Sequence, residues 1–302
     1  MRFGVVVVTH DRVDKLRHCL ELYEVQRERI AYCIVIDNKS VDGTKEYLDF
    51  WAQQPSEYER IVIHMKQNNG GSAGFYEGLH RAIQKEAAWV WVSDDDAYPG
   101  KDTFQILEYQ ISLYQDTGVE LAAICGCVFN EIGIDTWHRR RLTIGRFLIK
   151  EENIPIEEYK YESFEIDLFS YVGVALKREA LLRAGLPNKD FFISYDDTEH
   201  SMRIAKYGKI LCLPQICIYH DSPVMNHRTL TWKKYYTIRN KLYTYSENYQ
   251  RHYCIIMEIY YLSKAFTSGQ CEFRMVISAI LDARKKRLGV HELYRPGWNN
   301  NK

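Results

Sequence analysis

The chain has 302 residues, enough for one large or two modest domains, with 40 basic and 40 acidic side chains and a formal net charge of zero. No apolar run reaches the about 20 residues that a transmembrane helix requires, and the eight cysteines show neither a CxxC pair nor zinc-type spacing. We therefore expect a reduced, cytoplasmic protein, and nothing in the composition favours nucleic acid as a partner.

Four short apolar runs in the first hundred residues alternate with helical patterns. The runs are residues 3–8, 34–36, 60–65 and 88–93. This alternation predicts an α/β, Rossmann-like fold with a mostly parallel central sheet flanked by helices. In such sheets the ligand crevice lies beyond the carboxyl ends of the strands. A polar loop follows each run, so all four loops are predicted to meet at one edge.

The fourth loop contains three consecutive aspartates, Asp94, Asp95 and Asp96. Carboxylates at the end of a buried strand repel one another and are costly to desolvate unless a cation lies with them. Mg²⁺ and Mn²⁺ prefer carboxylate oxygens, so the run predicts a metal site shared with substrate phosphates. A solvated acidic turn is the alternative, which the nearby Pro99-Gly100 pair favours.

The second and third loops carry groups suited to a nucleotide. Asp37 can accept hydrogen bonds from a uracil N–H or a ribose hydroxyl, although an Asx turn or a helix cap uses the same residue. Gly70, Gly71 and Gly74 would let the backbone approach a ligand closely, and the helix that follows favours an anion. A plain turn requires the same glycines, and the spacing matches neither a Walker A loop nor a dinucleotide fingerprint.

The second half of the chain offers further candidates. A strand is predicted over residues 168–176, and Asp196-Asp197 begins a helix, where a pair of acids exceeds what a cap requires. His220 follows a predicted strand at 210–217. Residues 137–141 (Trp-His-Arg-Arg-Arg) could clamp a diphosphate or an anionic acceptor, but a solvated charge run is an equal alternative.

These segments together resemble the GT-A glycosyltransferases of inverting family 2, over about residues 1–225. The glycine-rich loop and the triple aspartate are most similar to the bacterial galactofuranosyltransferase and rhamnosyltransferase subgroup, as are residues 235–241. The segments that carry the resemblance are 8–12, 36–44, 68–75, 94–96 and 195–199. In that case residues 1–100 form a nucleotide-sugar half and residues 101–225 an acceptor half.

The resemblance also implies roles for individual residues. Asp197 would be the catalytic base, with Asp196 and Glu199 binding the acceptor, although Asp196 and Asp197 could exchange roles. The metal, Mn²⁺ or Mg²⁺, would be held by Asp94, Asp96 and His220. The residues expected to bind the donor are Thr9, Asp11, Arg12, Asp37, Asn38, Ser40, Asn69, Gly70, Gly71, Gly74 and Asp95.

The implied reaction is transfer of galactofuranose from UDP-galactofuranose to a hydroxyl of a lipid-linked cell-surface glycan. A rhamnosyltransferase that uses dTDP-rhamnose is the nearest alternative. A sugar nucleotidyltransferase would normally have a basic, glycine-rich loop directly after the first strand, which this chain lacks. A non-catalytic sugar-binding protein would not need the Asp196-Asp197 pair.

The C-terminal segment differs in charge from the rest of the chain. Residues 226–302 contain 14 basic and 5 acidic residues and nine tyrosines, and their apolar spacing predicts two helices. Basic, aromatic helices can lie on an anionic membrane surface, which would suit an acceptor carried on a polyprenyl diphosphate. Packing on the catalytic domain and pairing of subunits in a homo-oligomer are the alternatives. We thus expect a protein peripheral to the inner face of the cell membrane.

Overall fold

The computed structural model of the protein describes residues 1–115, 117–222 and 230–298. The strands are β1 (Phe3–Thr9), β2 (Ile30–Asp37), β3 (Glu59–His64), β4 (Trp89–Asp94), β5 (Ala97–Pro99), β6 (Leu121–Phe129), β7 (Arg139–Ile144), β8 (Ile149–Asn153), β9 (Phe164–Ile166), β10 (Leu168–Phe169), β11 (Val174–Lys177) and β12 (Lys209–His220). The α-helices are α1 (Val13–Glu24), α2 (Thr44–Gln53), α3 (Gly70–Ala82), α4 (Thr103–Gln115), α5 (Arg178–Ala184), α6 (Asp196–Ile204), α7 (Trp232–Asn248), α8 (Arg251–Ser268) and α9 (Gln270–Arg284).

The central sheet has the strand order β3-β2-β1-β4-β11-β6-β12-β5, and β9 also pairs with β12. Strands β1 to β4 are parallel to their neighbours within this group, as predicted. Strand β11 is antiparallel to both β4 and β6, so the complete sheet is mixed rather than mostly parallel. A second, antiparallel sheet has the order β10-β7-β8. The predicted α/β fold with a helical C-terminal region is confirmed.

Strand β1 lies at the centre of the core, and all seven of its residues are buried. Val5 and Val7 belong to one apolar cluster with Leu16 of α1, while Val6 belongs to a second cluster with Leu79 of α3. Because both faces of the sheet are covered, the strand is a continuous apolar run. Each valine that is fully buried in this way contributes about 1.5–3 kcal/mol of transfer free energy.

The predicted strand at residues 168–176 is wrong, because the chain changes sheets within it. Residues Leu168–Phe169 pair with β7 in the small sheet, and Val174–Lys177 pair with β4 and β6 in the central sheet. Between them Gly173 has φ +71°, and a Cβ there would lie 2.2 Å from Cδ1 of Ile218. The left-handed backbone and the close packing therefore require glycine at this crossing.

Arg139 of the basic segment 137–141 does not face a ligand or solvent. It is fully buried, and its guanidinium donates to the carbonyl oxygens of Gly126 (2.9 Å), Val172 (2.7 Å) and Gly173 (3.0 Å). Arg141 forms an ion pair with Glu158. Arg139 thus satisfies backbone acceptors where the chain crosses between the two sheets, and for Arg139 both predicted alternatives are wrong.

Over residues 230–298 the C-terminal region has three α-helices, where the sequence pattern predicts two. The additional helix is α7, which precedes the predicted pair and buries five aromatic and aliphatic side chains: Tyr235, Tyr236, Ile238, Leu242 and Tyr245. The helices share an apolar cluster with Phe192, just before α6, so packing against the rest of the chain is observed. No helix among the described residues is long and apolar enough to cross a bilayer. The predicted boundary at residues 225 and 226 lies outside the described residues.

Candidate active site

The adjacent, parallel strands β1 and β4 bring polar side chains together at their carboxyl ends. Thr9 Oγ1 donates a hydrogen bond to Asp95 Oδ2 at 2.6 Å. Arg12 Nη1 lies 3.0 Å from Asp95 Oδ1 and 2.6 Å from Asp96 Oδ2. The predicted meeting of the first and fourth loops is therefore confirmed.

The three aspartates differ in how their charges are compensated. Burial, followed by repulsion from Asp96 and Asp95, raises the pKa of Asp94 well above its usual range. Burial raises the pKa of Asp95 to about 6, although Arg12 opposes the shift. For Asp96 the hydrogen bond with His220 and the charge of Arg12 outweigh burial, so its pKa is lowered. Asp94 is therefore the least compensated carboxylate of the three.

Asp37 is hydrogen-bonded within the protein, but in neither the Asx turn nor the helix cap that was the alternative to ligand binding. Its Oδ1 accepts from the backbone N–H of Ser40 at 2.8 Å, and its Oδ2 lies 2.8 Å from Nδ1 of His64. Ser40 Oγ in turn accepts from the N–H of Asp11 at 2.9 Å, and Asp11 has φ +51°. These contacts hold the first two loops together. Donor binding by Asp37, Ser40 and Asp11 stays a prediction.

Asn38 retains an acceptor that a ligand could use. It is buried, its Nδ2 donates to Asn68 Oδ1 at 3.1 Å, and its Oδ1 has no partner among the described residues. Asn69 lies at the start of α3, where its side chain makes no capping hydrogen bond. An unpaired buried oxygen beside the crevice is consistent with the predicted contact to the donor.

The three glycines of the third loop have different neighbours. A Cβ on Gly70, which has φ +81°, would lie 1.8 Å from the carbonyl oxygen of Phe192. A Cβ on Gly74 would lie 2.6 Å from Cγ1 of Val8. Only Gly71 has no atom within 4 Å of the added Cβ. Protein packing therefore explains why glycine is needed at positions 70 and 74. At Gly71 packing gives no such reason, and close approach of a ligand remains the explanation.

The Asp196-Asp197 pair follows a backbone segment with unusual dihedral angles. Phe192, Ser194 and Tyr195 have φ values of 68°, 67° and 73°, although none is glycine. Each such residue costs about 1–3 kcal/mol and keeps this conformation only where the surroundings enforce it. The carbonyl oxygen of Phe192 accepts from the N–H of Ser72 at 3.2 Å, which joins this segment to the first turn of α3.

The two carboxylates at the start of α6 have raised pKa values. Burial and then the charge of Asp197 raise the pKa of Asp196 to about 8. Burial also raises the pKa of Asp197, with Arg140 opposing. Asp197 Oδ1 accepts from Thr198 N–H at 2.6 Å, and Arg140 Nη2 donates to Thr198 Oγ1 at 2.6 Å. Raised pKa values in a crevice are typical of groups that exchange protons.

Glu199 does not join this pair. Its Oε1 lies 2.6 Å from Nε of Arg203 and its Oε2 lies 2.8 Å from Nη2 of the same guanidinium. Both carboxylate oxygens are thus used in an i,i+4 ion pair along α6. The ion pair stabilises the helix, and acceptor binding by Glu199 stays a prediction.

The side chains that hold the acidic segment were missed by the sequence predictions. Asn240 Nδ2 lies 3.1, 3.1 and 2.8 Å from the carbonyl oxygens of Phe191, Ile193 and Ser194. Arg239 Nη2 donates to the Phe191 oxygen at 2.9 Å, and both side chains are buried. The signal was present in the sequence, because two adjacent polar residues occur in an aromatic-rich helical pattern.

His220 lies at the end of β12, beside Asp96. Its Nε2 is 3.5 Å from Asp96 Oδ1, and His138 packs edge to face against it with ring centroids 5.1 Å apart. Within residues 1–115, 117–222 and 230–298, no three His, Cys, Asp or Glu side chains are already arranged as a metal-binding group. The uncompensated carboxylate of Asp94 nevertheless fits a hard divalent cation, which would lower the cost of its charge.

The sequence profile of Glycosyl transferase family 2 matches residues 4–182. This span covers more than half of the chain, includes the triple aspartate, and ends before the Asp196-Asp197 pair. The chain belongs to glycosyl transferase family 2, and the protein is a glycosyltransferase.

Individual relatives support this classification. The galactofuranosyltransferase GlfT1 of Mycobacterium tuberculosis (strain ATCC 25618 / H37Rv) is 26% identical over 269 residues, which cover 80% of this chain and 81% of the relative. The dTDP-rhamnosyl transferase RfbF of Shigella flexneri is 24% identical over 217 residues, which cover 71% of this chain and 67% of the relative. Both belong to the subgroup that the sequence motifs predicted.

A solved structure shows the same fold. The crystal structure of GalNAc-T7 with UDP, GalNAc and Mn²⁺ matches with a TM-score of 0.63 at 14% sequence identity. The match covers 95% of this chain, which spans 56% of the length of GalNAc-T7 in that structure. At this identity the similarity defines the fold, and the predicted GT-A fold is confirmed.

Proposed function

We propose that the protein is an inverting, divalent-metal-dependent galactofuranosyltransferase that uses UDP-galactofuranose and a hydroxyl of a lipid-linked cell-surface glycan. The observation that carries this proposal is that both acidic groups adjoin the start of α3. Val8, the β1 partner of Asp94, packs against Gly74, and the Phe192 oxygen just before Asp196 accepts from the N–H of Ser72 at 3.2 Å. One group can then face the departing diphosphate and the other the acceptor. The donor is inferred from the similarity to GlfT1 over 80% of the chain.

Asp94, Asp96 and His220 would hold the cation, Mn²⁺ or Mg²⁺. When bound, the cation would neutralise the negative charge that develops on the departing UDP. Arg12 Nη1 lies 2.6 Å from Asp96 Oδ2, so a basic side chain lies next to the proposed cation site. Thr9 and Arg12 fix the carboxylate of Asp95, which is then oriented toward the ribose or the sugar of the donor.

Asp197 is the catalytic base in this proposal. Its raised pKa makes it a better proton acceptor than an ordinary carboxylate, while the charge of Arg140 opposes the shift. It removes the proton from the acceptor hydroxyl as the oxygen attacks the anomeric carbon from the face opposite UDP. Asp196 is protonated below about pH 8 and can both donate to and accept from acceptor hydroxyls.

A rhamnosyltransferase that uses dTDP-rhamnose is the second candidate. The match to RfbF over 71% of the chain favours it, and the same fold and base would serve. The two proposals differ only in the donor that the crevice accepts. Binding to the inner membrane surface and a homo-oligomeric state remain predictions in either case.

The test is release of UDP or dTDP from a panel of donors, measured with Mn²⁺ and a galactose-terminated acceptor. The donors are UDP-galactofuranose, UDP-galactopyranose, UDP-glucose and dTDP-rhamnose. Each is repeated with EDTA, with Asp197→Asn, and with Asp14→Asn as a control at an exposed acidic residue of α1. We expect turnover with the furanose donor alone, lost with EDTA and reduced about 100-fold or more in Asp197→Asn.

Each part of the proposal can fail separately. Turnover with dTDP-rhamnose would replace the donor and keep the mechanism. Turnover that persists in EDTA would reject the metal, and unchanged turnover in Asp197→Asn would reject the base. The anomeric configuration of the product, read by NMR, decides whether the reaction inverts.

A further inference from the structure

A cavity of about 350 Å³ lies between the β7–β8 hairpin and the three C-terminal helices, outside the acidic crevice. This volume is at the lower end of the about 300–1,000 Å³ typical of small-molecule sites. Apolar walls come from Ile149, Ile238, Met257 and Val276. Nothing in the proposed mechanism uses this cavity.

Four lysines and one glutamate also line the cavity, so its surface carries an excess of three positive charges. Lys234 forms an ion pair with Glu272, and Lys241 lies 3.0 Å from Oε1 of Glu151. Lys150 and Lys264 are exposed and have no acidic partner among the described residues. Uncompensated ammonium groups beside apolar walls favour a ligand with an anionic head and an apolar chain.

The rim of the cavity is apolar and exposed. Leu148 lines the cavity and is 48% exposed, and its neighbour Phe147 at the hairpin tip is 60% exposed. On α8, Tyr260 also lines the cavity and is 50% exposed. Exposed apolar side chains around a basic cavity are the arrangement expected where a chain passes from the protein into a lipid surface.

A series of hydrogen bonds and ion pairs connects the cavity to the proposed base. Lys241 contacts Glu151, whose Oε2 lies 2.7 Å from Nη1 of Arg140. Arg140 donates to Thr198 Oγ1 at 2.6 Å, and Thr198 Oγ1 lies 3.1 Å from Asp197 Oδ1. A group bound at the cavity is thus held on the same framework that positions Asp197.

We propose that this cavity binds a phosphate-bearing lipid, with the phosphate at Lys150 and Lys264 and the first part of the chain against the apolar walls. Two uncompensated lysines suit the charge of a phosphate better than the single charge of a carboxylate. As the lipid of the acceptor, this ligand rests on the proposed function. Binding itself does not depend on sugar transfer, so the two are tested separately.

The test is calorimetric titration of the full chain with farnesyl monophosphate at concentrations at which the lipid is monomeric. Farnesol, inorganic phosphate and a fatty acid of similar length are titrated in parallel. We expect one molecule of farnesyl monophosphate to bind per chain. Each comparison ligand should bind at least about tenfold more weakly. Lys150→Ala/Lys264→Ala should weaken binding about tenfold or more, because two charged contacts are lost.

Lys160→Ala/Lys206→Ala is the matched control, because it removes two exposed lysines away from the cavity lining. Leu148→Ser tests the rim and should weaken binding of farnesyl monophosphate without changing the response to inorganic phosphate. Equal weakening in the control pair, several molecules bound per chain, or equal binding of the fatty acid would overturn the proposal. The last result would indicate a fatty-acid site.

UDP release measured with a short, lipid-free acceptor separates the test of the cavity from the test of the proposed function. Both double-lysine variants should retain it, since none of these lysines belongs to the acidic crevice. Transfer without farnesyl monophosphate binding would reject the cavity proposal alone. Binding without transfer from any donor would support the cavity and reject the proposed function.

Discussion

The side-chain amide of Asn240 donates to the carbonyl oxygen of Ser194 at 2.8 Å, which ties helix α7 to the segment that presents Asp196 and Asp197. Ser194 has φ +67°, a conformation that a serine rarely adopts without support. The C-terminal region is therefore part of the active-site architecture, because it enforces the backbone from which the proposed base projects.

Asn240→Ala should lower turnover much more than it weakens donor binding. The substitution removes the side-chain donor to the carbonyl oxygens of Ile193 and Ser194, which costs about 1–3 kcal/mol of folding free energy. The released segment then misplaces Asp197 relative to the acceptor. Initial-rate kinetics should show kcat reduced about 100-fold with a nearly constant KM for the donor.

Thr244→Val is the control for this variant. Thr244 lies one turn further along α7, is fully buried, and has an Oγ1 without a partner among the described residues. Thr244→Val should keep both stability and turnover. If Asn240→Ala unfolds at a lower denaturant concentration but retains its kcat, the positioning role is refuted and a purely structural one remains.

Substitution by alanine should have different effects on stability at Gly70 and at Gly71. In Gly70→Ala the new Cβ would lie 1.8 Å from the Phe192 oxygen at a positive φ, so we expect a loss of at least about 2 kcal/mol of unfolding free energy. In Gly71→Ala no atom lies within 4 Å, so stability should stay constant or rise by up to about 1 kcal/mol. Urea unfolding measures both changes, and equal losses would contradict the packing role of Gly70.

Asp196→Asn should stabilise the protein more as the pH rises. The folded state holds the proton of Asp196 up to about pH 8, chiefly because of burial and then because of Asp197. The unfolded state releases the proton near the ordinary aspartate value, so stability is complete below that value and is lost as pH rises toward 8. The advantage of Asp196→Asn should therefore grow by up to about 1.4 kcal/mol per pH unit across this window.

Urea unfolding in EDTA at about pH 5 and about pH 7.5 measures this difference. EDTA removes divalent cations, which would otherwise stabilise the ionised carboxylates. An advantage that stays constant with pH would show that Asp196 titrates in its ordinary range and is not the buried acid described above.

Mn²⁺ should raise the thermal unfolding midpoint only while Asp94 is present. A ligand that binds the folded state stabilises it by about 2.7 kcal/mol at about 100 times its Kd. Asp94→Asn removes the carboxylate with the least compensated charge, so we expect most of the Mn²⁺ shift to disappear. Asp14→Asn should keep the full shift, because Asp14 is exposed on α1. The same shift in Asp94→Asn and Asp14→Asn would locate the cation elsewhere.

Several site residues could be predicted because they are local to strand ends. Buried strands alternate with helices in the first hundred residues, and parallel pairing then brings the loops that follow them to one edge. Thr9, Arg12, Asp95 and Asp96 are in direct contact for this reason. The start of α6 was predictable in the same way, from two acids before a helical pattern.

Other features depend on contacts between distant segments, which no local pattern encodes. Residues 168–176 are mostly apolar, yet they divide between two sheets because the two ends of the segment pair with different strands. Gly74 was predicted to face a ligand, but its position is decided by Val8 on β1. Glu199 is an acidic residue next to the Asp196-Asp197 pair and was therefore predicted to bind the acceptor. Its ion pair with Arg203 depends on the i,i+4 geometry of the helix.

Short-range periodicity and motifs were enough to identify the family, the first four strands and the two acidic groups. The contact by which Asn240 holds the segment before Asp196 joins residues 46 positions apart, so it emerged only from the folded structure. The tertiary structure also decided that four lysines surround one apolar cavity. Burial makes the difference, since an unpaired carbonyl or an uncompensated charge acquires its cost only after folding has removed the water.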